Sequence, residues 1–278
     1  LSRMILSRSF RAMALVATLA LLGAGCGGSS SDVSGTVSPT DGTTVPVPTG
    51  SAPTRIVGAC EHPFYPLRTG YEAVYRINSR DFQGQPQTTR YRQRVTEATA
   101  NSARLKTTFE STTENGANFT ADQSVECGEG SLHATAYVDF SSRLLSADAG
   151  SQFRTETHRV TGDLLPRDLR VGSEWDSSFD ISMIPNNPAA ASGPLGRTIN
   201  VTVSMHRKAV AEEQVVVPAG TYQAIKIQAT TDLGMGAGAG DMLTTEWWVR
   251  GVGLVKSTFS AGAQLGDMVT EAEQITLP

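Results

Sequence analysis

Cys26, Cys60 and Cys127 are the only thiols in this 278-residue chain, and their surroundings decide what chemistry is open to each. Cys60 and Cys127 both fall in the stretch whose composition is that of a folded domain. Such a pair in an exported chain predicts one disulfide; the alternative is two buried free thiols. No CxxC is present, and His62, His133, His158 and His206 lie scattered, no two of them three to five residues apart. A zinc-type ligand set needs that spacing. Cys60-Glu61-His62 has ligand residue types, but a cysteine committed to a disulfide supplies no thiolate. The run Gly234-Met235-Gly236-Ala237-Gly238-Ala239-Gly240 has the glycine density of a phosphate loop. It is followed by Asp241, where such a loop needs a lysine, a hydroxyl and a helix. No serine sits in G-x-S-x-G, and the acid pairs Glu212-Glu213 and Glu271 with Glu273 fall on strand-like stretches as solvated faces. These residues predict no catalytic group, no metal and no cofactor, hence no enzyme. Trp247-Trp248 stands out instead. On a strand its two indoles point to opposite faces, one into a core and the other towards a cover, a partner or a ligand.

Cys26 has a different setting. Arg3, Arg8 and Arg11 give the chain a positive start, Ala12 to Leu22 form an apolar run broken only by Thr18, and Gly23-Ala24-Gly25 supply small residues. A run of about 11 residues is short against the roughly 20 that span a bilayer, but it suits an export signal. Leu21-Leu22-Gly23-Ala24-Gly25-Cys26 resembles the lipobox of bacterial lipoprotein precursors, with Gly23 in the usual leucine place. The resemblance implies that residues 1–25 are removed and that Cys26 becomes a lipidated first residue. Two or more acyl chains, at about 0.8 kcal/mol per buried methylene, make a permanent membrane anchor. Gly27, rather than aspartate, after the cysteine resembles outer-membrane sorting in enterobacteria and a chain facing the periplasm.

Three of the 23 basic residues and none of the 27 acids lie in residues 1–25, so the remainder carries 20 against 27, a net charge of −7. Nucleic-acid binding rests on phosphate neutralisation, and an acidic chain without a basic patch excludes it. Residues 26–55 are rich in Gly, Ser, Thr and Pro with no aromatic residue, and bury too little to offset ordering entropy. About 29 such residues act as a tether with a span of roughly 30 Å. Residues 56–278 then read as one β-rich domain. Tyr71, Ala73, Tyr75 and Ile77 alternate with polar neighbours, as do Leu132, Ala134, Ala136, Val138 and Phe140, and Ile199, Val201, Val203 and Met205. Period two marks strands with one buried face. Turns are expected at Pro218-Ala219-Gly220-Thr221, Arg250-Gly251-Val252-Gly253 and Asn115-Gly116, and a bulge within Tyr222–Ile227, where Ile225 and Ile227 fall out of phase. The fold class is mainly β: an antiparallel curved sheet, half-barrel or sandwich. Tyr65–Tyr71 echoes Leu165–Trp175 in its order of Pro, Leu, Gly and aromatic, which leaves open two similar halves.

Val217-Pro218-Ala219-Gly220-Thr221-Tyr222, followed by Glu246-Trp247-Trp248-Val249-Arg250-Gly251-Val252-Gly253-Leu254-Val255-Lys256, resembles a group of bacterial envelope proteins that includes TapB-like pilus-associated proteins and domains of unknown function. The resemblance implies an extended curved sheet akin to the LolA/LolB lipoprotein carriers, and it brings no catalytic residues. Anchor, tether and β domain together lead to a non-enzymatic binding or scaffolding module, with other envelope proteins as partners. The alternative is a carrier of an apolar ligand on a concave face built from Trp247 or Trp248, Phe179 and Met183.

Overall fold

The computed structural model of the protein describes residues 60, 62–80, 84–110, 119–135, 153–185, 198–234, 242–260 and 267–278. The export signal, Cys26 and the tether lie outside them, as do Asn115-Gly116, Ala136–Phe140 and most of the glycine run. The described residues form twelve antiparallel strands and no helix: β1 (Glu72–Arg80), β2 (Pro86–Ala98), β3 (Ser102–Glu110), β4 (Phe119–Gly128), β5 (Ser131–Ala134), β6 (Phe153–Gly162), β7 (Glu174–Pro185), β8 (Ile199–Val217), β9 (Gly220–Asp232), β10 (Met242–Val249), β11 (Gly253–Ser260) and β12 (Asp267–Thr276).

All twelve belong to one sheet in the order β5-β4-β3-β2-β1-β12-β11-β10-β9-β8-β7-β6. Every strand pairs with its sequence neighbour except at one point, and the first strand pairs with the last. The cut in this up-and-down meander therefore falls between β5 and β6, not at the chain ends. Even there the edges meet. Leu132 bridges to Leu165, with Leu132 N donating to Leu165 O at 2.9 Å and Leu164 N to Leu132 O at 2.7 Å. His133 and Asp163 approach to 3.0 Å beside them. The result is a nearly closed barrel-like sheet, which decides against the sandwich.

The alternation seen in the sequence sets which face turns inward. Tyr71, Ala73, Tyr75 and Ile77 are all at most 3% exposed, and Val95, Leu105, Val125 and Val255 join them. Five register shifts bend the sheet, each with one extra residue on one strand: Thr96, His158, Val210, Val255 and Glu273. Bulges raise local twist, which a single sheet needs in order to curl onto its own face. The bulge expected within Tyr222–Ile227 lies across the pair, at Val210 on β8, while β9 keeps its register and buries both Ala224 and Ile225.

One end of the barrel is stoppered. Residues 60–71 cross it, with Cys60 N donating to Thr99 O, Val95 N to Tyr71 O and Gly251 N to Pro63 O. The β8–β9 hairpin runs past its neighbours and turns at Pro218-Ala219 as expected, and Ala219 N reaches Ala272 O on β12 at 2.9 Å. The second of the two echoing segments reaches the stopper here, where His62 Nε2 donates to Pro166 O at 2.9 Å. Gly253, at φ +112°, is the close approach that admits the stopper: a β-carbon there would sit 2.6 Å from the Tyr71 hydroxyl.

The stopper is covalently stapled by the expected disulfide between Cys60 and Cys127, Cα atoms 5.5 Å apart and 67 residues apart in sequence. In the chain-entropy model a loop of that length contributes about 4 kcal/mol at most. Maleimide labelling in denaturant without reductant is expected to leave both cysteines unmodified. Reduction is expected to lower Tm by several degrees in a thermal melt; two labelled cysteines, or an unmoved Tm, would contradict the staple.

Candidate functional site

The two faces of the sheet carry different chemistry, and the Trp247-Trp248 pair straddles them. On the outward face one register row runs Lys226–Trp247–Lys256–Glu271–Arg76–Arg90–Glu110 across β9, β10, β11, β12, β1, β2 and β3. Trp247 lies between two lysines, whose ammonium groups stand 5.4 and 5.8 Å from its ring, and its Nε1 donates to Glu213 Oε1 at 2.7 Å. That hydrogen bond holds the Glu213 carboxyl below its usual range. Lys226 pairs with Glu213 at 3.3 Å, Lys256 with Glu271 at 3.0 Å, and Glu273 takes Arg90 at 2.7 Å and Arg76 at 3.7 Å. Lysine stems cover the indole while their charges stay in water, and Trp247, 9% exposed, also packs into the main buried apolar cluster.

Trp248 turns inward. Its ring meets Tyr65 of the stopper edge-on at 5.4 Å, and its Nε1 donates to Glu246 Oε2 at 2.8 Å. Glu246 therefore shares the inward face, in a row that runs Ala209–Ile227–Glu246–Ser257–Thr270–Ile77. The next row away from the stopper runs Trp175–Arg207–Ala229–Thr244–Phe259–Met268. Between the rows and the opposite wall the packing loosens. Glu246, Ser257, Thr270, Thr244, Phe259, Trp175 and Tyr91 are half-buried, although all turn inward. The Glu246 charge helps hold the Tyr91 hydroxyl above its ordinary range, behind burial as the main cause. Near the stopper burial is complete, and it pushes the Tyr71 hydroxyl up to about 12.

Of the side chains expected on a ligand face, Trp248, Phe179 and Met183 all turn inward, but in two clusters. Phe179 and Met183 turn inward on β7 with Ile181, Val203 and Ala134, in a cluster separate from that of Trp248, and Trp247 is on the other side of the sheet. Sequence reasoning missed Arg207 and Glu246, inward-facing charges whose strand phase alone marks them: Arg207 keeps step with Val203 and Ala209, and Glu246 with Trp248.

His158 and Ser182 are not wired as base and nucleophile. His158 Nε2 lies 2.5 Å from Ser182 Oγ, but the serine proton goes to Asn200 Oδ1 at 2.6 Å, so the imidazole donates rather than accepts. Among the described residues no three His, Cys, Asp or Glu side chains converge as metal ligands. Two clefts lie nearby. One of about 410 Å³ follows the β5–β6 seam past Glu126, His133 and Thr157–Gly162. Another of about 540 Å³ crosses β6–β9 by Asp176, Ser204, His206 and Asp232.

What these parts define is a meander barrel, closed at one end and loosely packed beyond the closure, with paired charges outside. The chain belongs to the DUF3108-like family, whose match spans residues 73–262. Two solved structures share the fold. An exported protein of YmcC-like fold from Bacteroides fragilis is 12% identical with a TM-score of 0.52, over 77% of this chain and 99% of that one. A lipoprotein from Parabacteroides distasonis is 15% identical with a TM-score of 0.50, over 77% and 98%. No curated protein matches.

Two predictions follow from this geometry. Replacing Trp247 with alanine is expected to cost about 3 kcal/mol in urea unfolding, within the range for loss of a packed tryptophan. Val216→Ser, at a 67% exposed position of the same sheet, is expected to stay within about 0.5 kcal/mol. The second concerns His62, whose Nδ1 accepts from Phe64 N at 3.2 Å while Nε2 donates to Pro166 O. Both nitrogens are used only in the neutral ring, and burial pushes the pKa below 6.5. With the folded value below the unfolded one, the unfolded chain takes up the proton first as pH falls. The His62 contribution to stability is expected to be level above pH 6.5 and to decline below it. His206 runs the other way: Asp176 raises its pKa, so its contribution is present below pH 6.5 and lost as pH rises through the folded value. The His62 share is therefore read as a difference. Tm against pH is expected to slope less between 6.5 and 5 in His62→Gln than in the natural chain, and equal slopes would refute this.

Proposed function

We propose that this protein is a non-enzymatic, lipid-anchored module of the cell envelope, and that its barrel binds a small amphipathic ligand on the loosely packed inward wall beyond the stopper. The observation that carries this reading is the half-buried set Thr244, Glu246, Ser257, Phe259 and Thr270 on the core face of β10–β12, in two adjacent register rows that also hold Ile227, Ile77 and Met268. A wall that mixes aromatic, aliphatic and a few polar groups is the usual lining of a small-molecule site. The names of two structural neighbours, an exported protein and a lipoprotein, support an envelope address. So does the run Leu21–Cys26, which would place the acyl chains on Cys26. A carrier of lipid would use the same wall and differ only in releasing its ligand to a second protein.

Native extraction followed by lipidomic mass spectrometry tests this. An amphiphile retained at a one-to-one ratio is expected, and its loss is expected in Phe259→Arg, which projects a charge into the wall. A chain that carries nothing, while cross-linking yields only protein neighbours, would replace the reading with that of a scaffold. Cys26→Ser is expected to move the protein from the membrane to the soluble fraction; unchanged membrane association would remove the anchor.

A further inference from the structure

Arg207 is a guanidinium on the inward face at 7% exposure, and no carboxylate of the described residues lies within ion-pair distance. Its two terminal nitrogens donate to Ser177 Oγ at 2.7 Å and to the thioether sulfur of Met205 at 3.0 Å. A hydroxyl and a sulfur are weak acceptors for a buried cation. Removal of a charge from water costs several kcal/mol unless a counter-ion and hydrogen bonds offset it. Glu246 is the charge that acts on Arg207 from a distance, and it favours the cation, yet burial outweighs it and lowers the pKa. One Glu246 oxygen is already held by Trp248.

Directly across the ladder, Trp175 is the register partner of Arg207. Its Nε1 is buried with no acceptor among the described residues. An indole N–H is a donor only, and a buried donor left unmade costs about 1–3 kcal/mol. Two adjacent side chains thus bring buried donors to one place inside the barrel and find no oxyanion there. Space adjoins them, since Trp175, Met205, Thr244 and Glu246 are half-buried on the same face.

We propose that Arg207, Trp175 and Ser177 form an oxyanion-binding site within the barrel, which takes the carboxylate of an acyl amphiphile. The guanidinium supplies charge and a planar fork for two oxygens, and Trp175 Nε1 and the Ser177 hydroxyl complete the set. The apolar body would lie along the inward side chains that lead away from Arg207 on β7 and β8, namely Phe179, Met183, Val201 and Met205. Glu246 works against a second negative charge, so a monoanion fits better than a doubly charged head. This inference rests on the ligand-binding reading above and names the ligand class.

The test uses the full chain with Cys26→Ser, exported and purified without detergent, titrated with oleate, with methyl oleate and with inorganic phosphate. Oleate is expected to bind, the ester at least tenfold more weakly, Arg207→Met about 30-fold or more and Trp175→Phe several-fold more weakly, in line with charged hydrogen bonds. Arg207→Met without ligand is expected to melt at the same or a higher temperature, as when an uncompensated buried charge is replaced by a side chain of similar volume. Phosphate binding that competes with oleate and is lost in Arg207→Met would also support the oxyanion site and would make the free anion its source. Equal affinity for acid and ester, or full oleate binding by Arg207→Met, would overturn the site and leave the barrel a ligand binder. No binding of any probe, with a lower Tm in Arg207→Met, would overturn it in favour of a packing role; a retained native lipid would then still uphold the barrel as a binder.

Discussion

Closure of one sheet onto its own face is the constraint from which the rest follows. A meander with twelve strands has two edges, and unpaired edges invite association. Here β1 pairs with β12, so the first and last strands are joined and, among the described residues, the cut falls at β5–β6. That cut is narrowed by the backbone of Leu132, Leu164 and Leu165. These three residues lie at the stoppered end, and so does the disulfide. Cys127 on β4 holds Cys60 beside the strand that borders the cut, so one covalent bond ties the crossing segment to the side of the barrel where pairing is weakest. The wall on the other side of the cut, from β7 to β10, needs no such staple, because β8 and β9 pair over their full hairpin.

The Trp247-Trp248 dipeptide shows how a curled sheet uses both faces. In a flat sheet exposed on one side, the outward indole would be an apolar patch. Here it is clasped by Lys226 and Lys256 and held by Glu213, while the inward indole seals against Tyr65. Isolated surface ion pairs contribute little. Around Trp247 they act differently, because the lysine stems cover the ring, and the charges are themselves balanced by Glu213 and Glu271.

Much of this was legible in the sequence. Alternation at Tyr71–Ile77 and Ile199–Met205 gave strands with the correct inward residues, and the Pro218 and Arg250 turns fall where proline and glycine placed them. The two-sided fate of the tryptophans followed from period two alone. What did not follow is any property of pairing at a distance. Whether β1 meets β12, and which strand of a pair carries an extra residue, is set by register between segments far apart in the chain. Composition could not separate half-barrel from sandwich for the same reason. Of the expected ligand face, Trp248, Phe179 and Met183 all turn inward, in two clusters. Apolarity could not mark the inward polar pair beside them: Trp175 Nε1 has no acceptor among the described residues, and Arg207 has only a hydroxyl and a thioether.

That distinction separates a site from a core. Most buried polar groups of this barrel are satisfied within it: Tyr75 donates to Leu254 O, Tyr65 to Gln93, and His62 uses both ring nitrogens. They lie near the stopper, where packing is tight, although the Tyr71 hydroxyl there has no partner among the described residues. Arg207 lies one register row further from the stopper than Glu246. There the inward side chains are only half-buried, and water or a solute can reach between them. A cation in the sealed part without a partner would be a plain loss of stability. Placed where the packing opens, the same cation has an energetic reason to hold whatever anion enters, and the desolvation that lowers its pKa also strengthens that attraction.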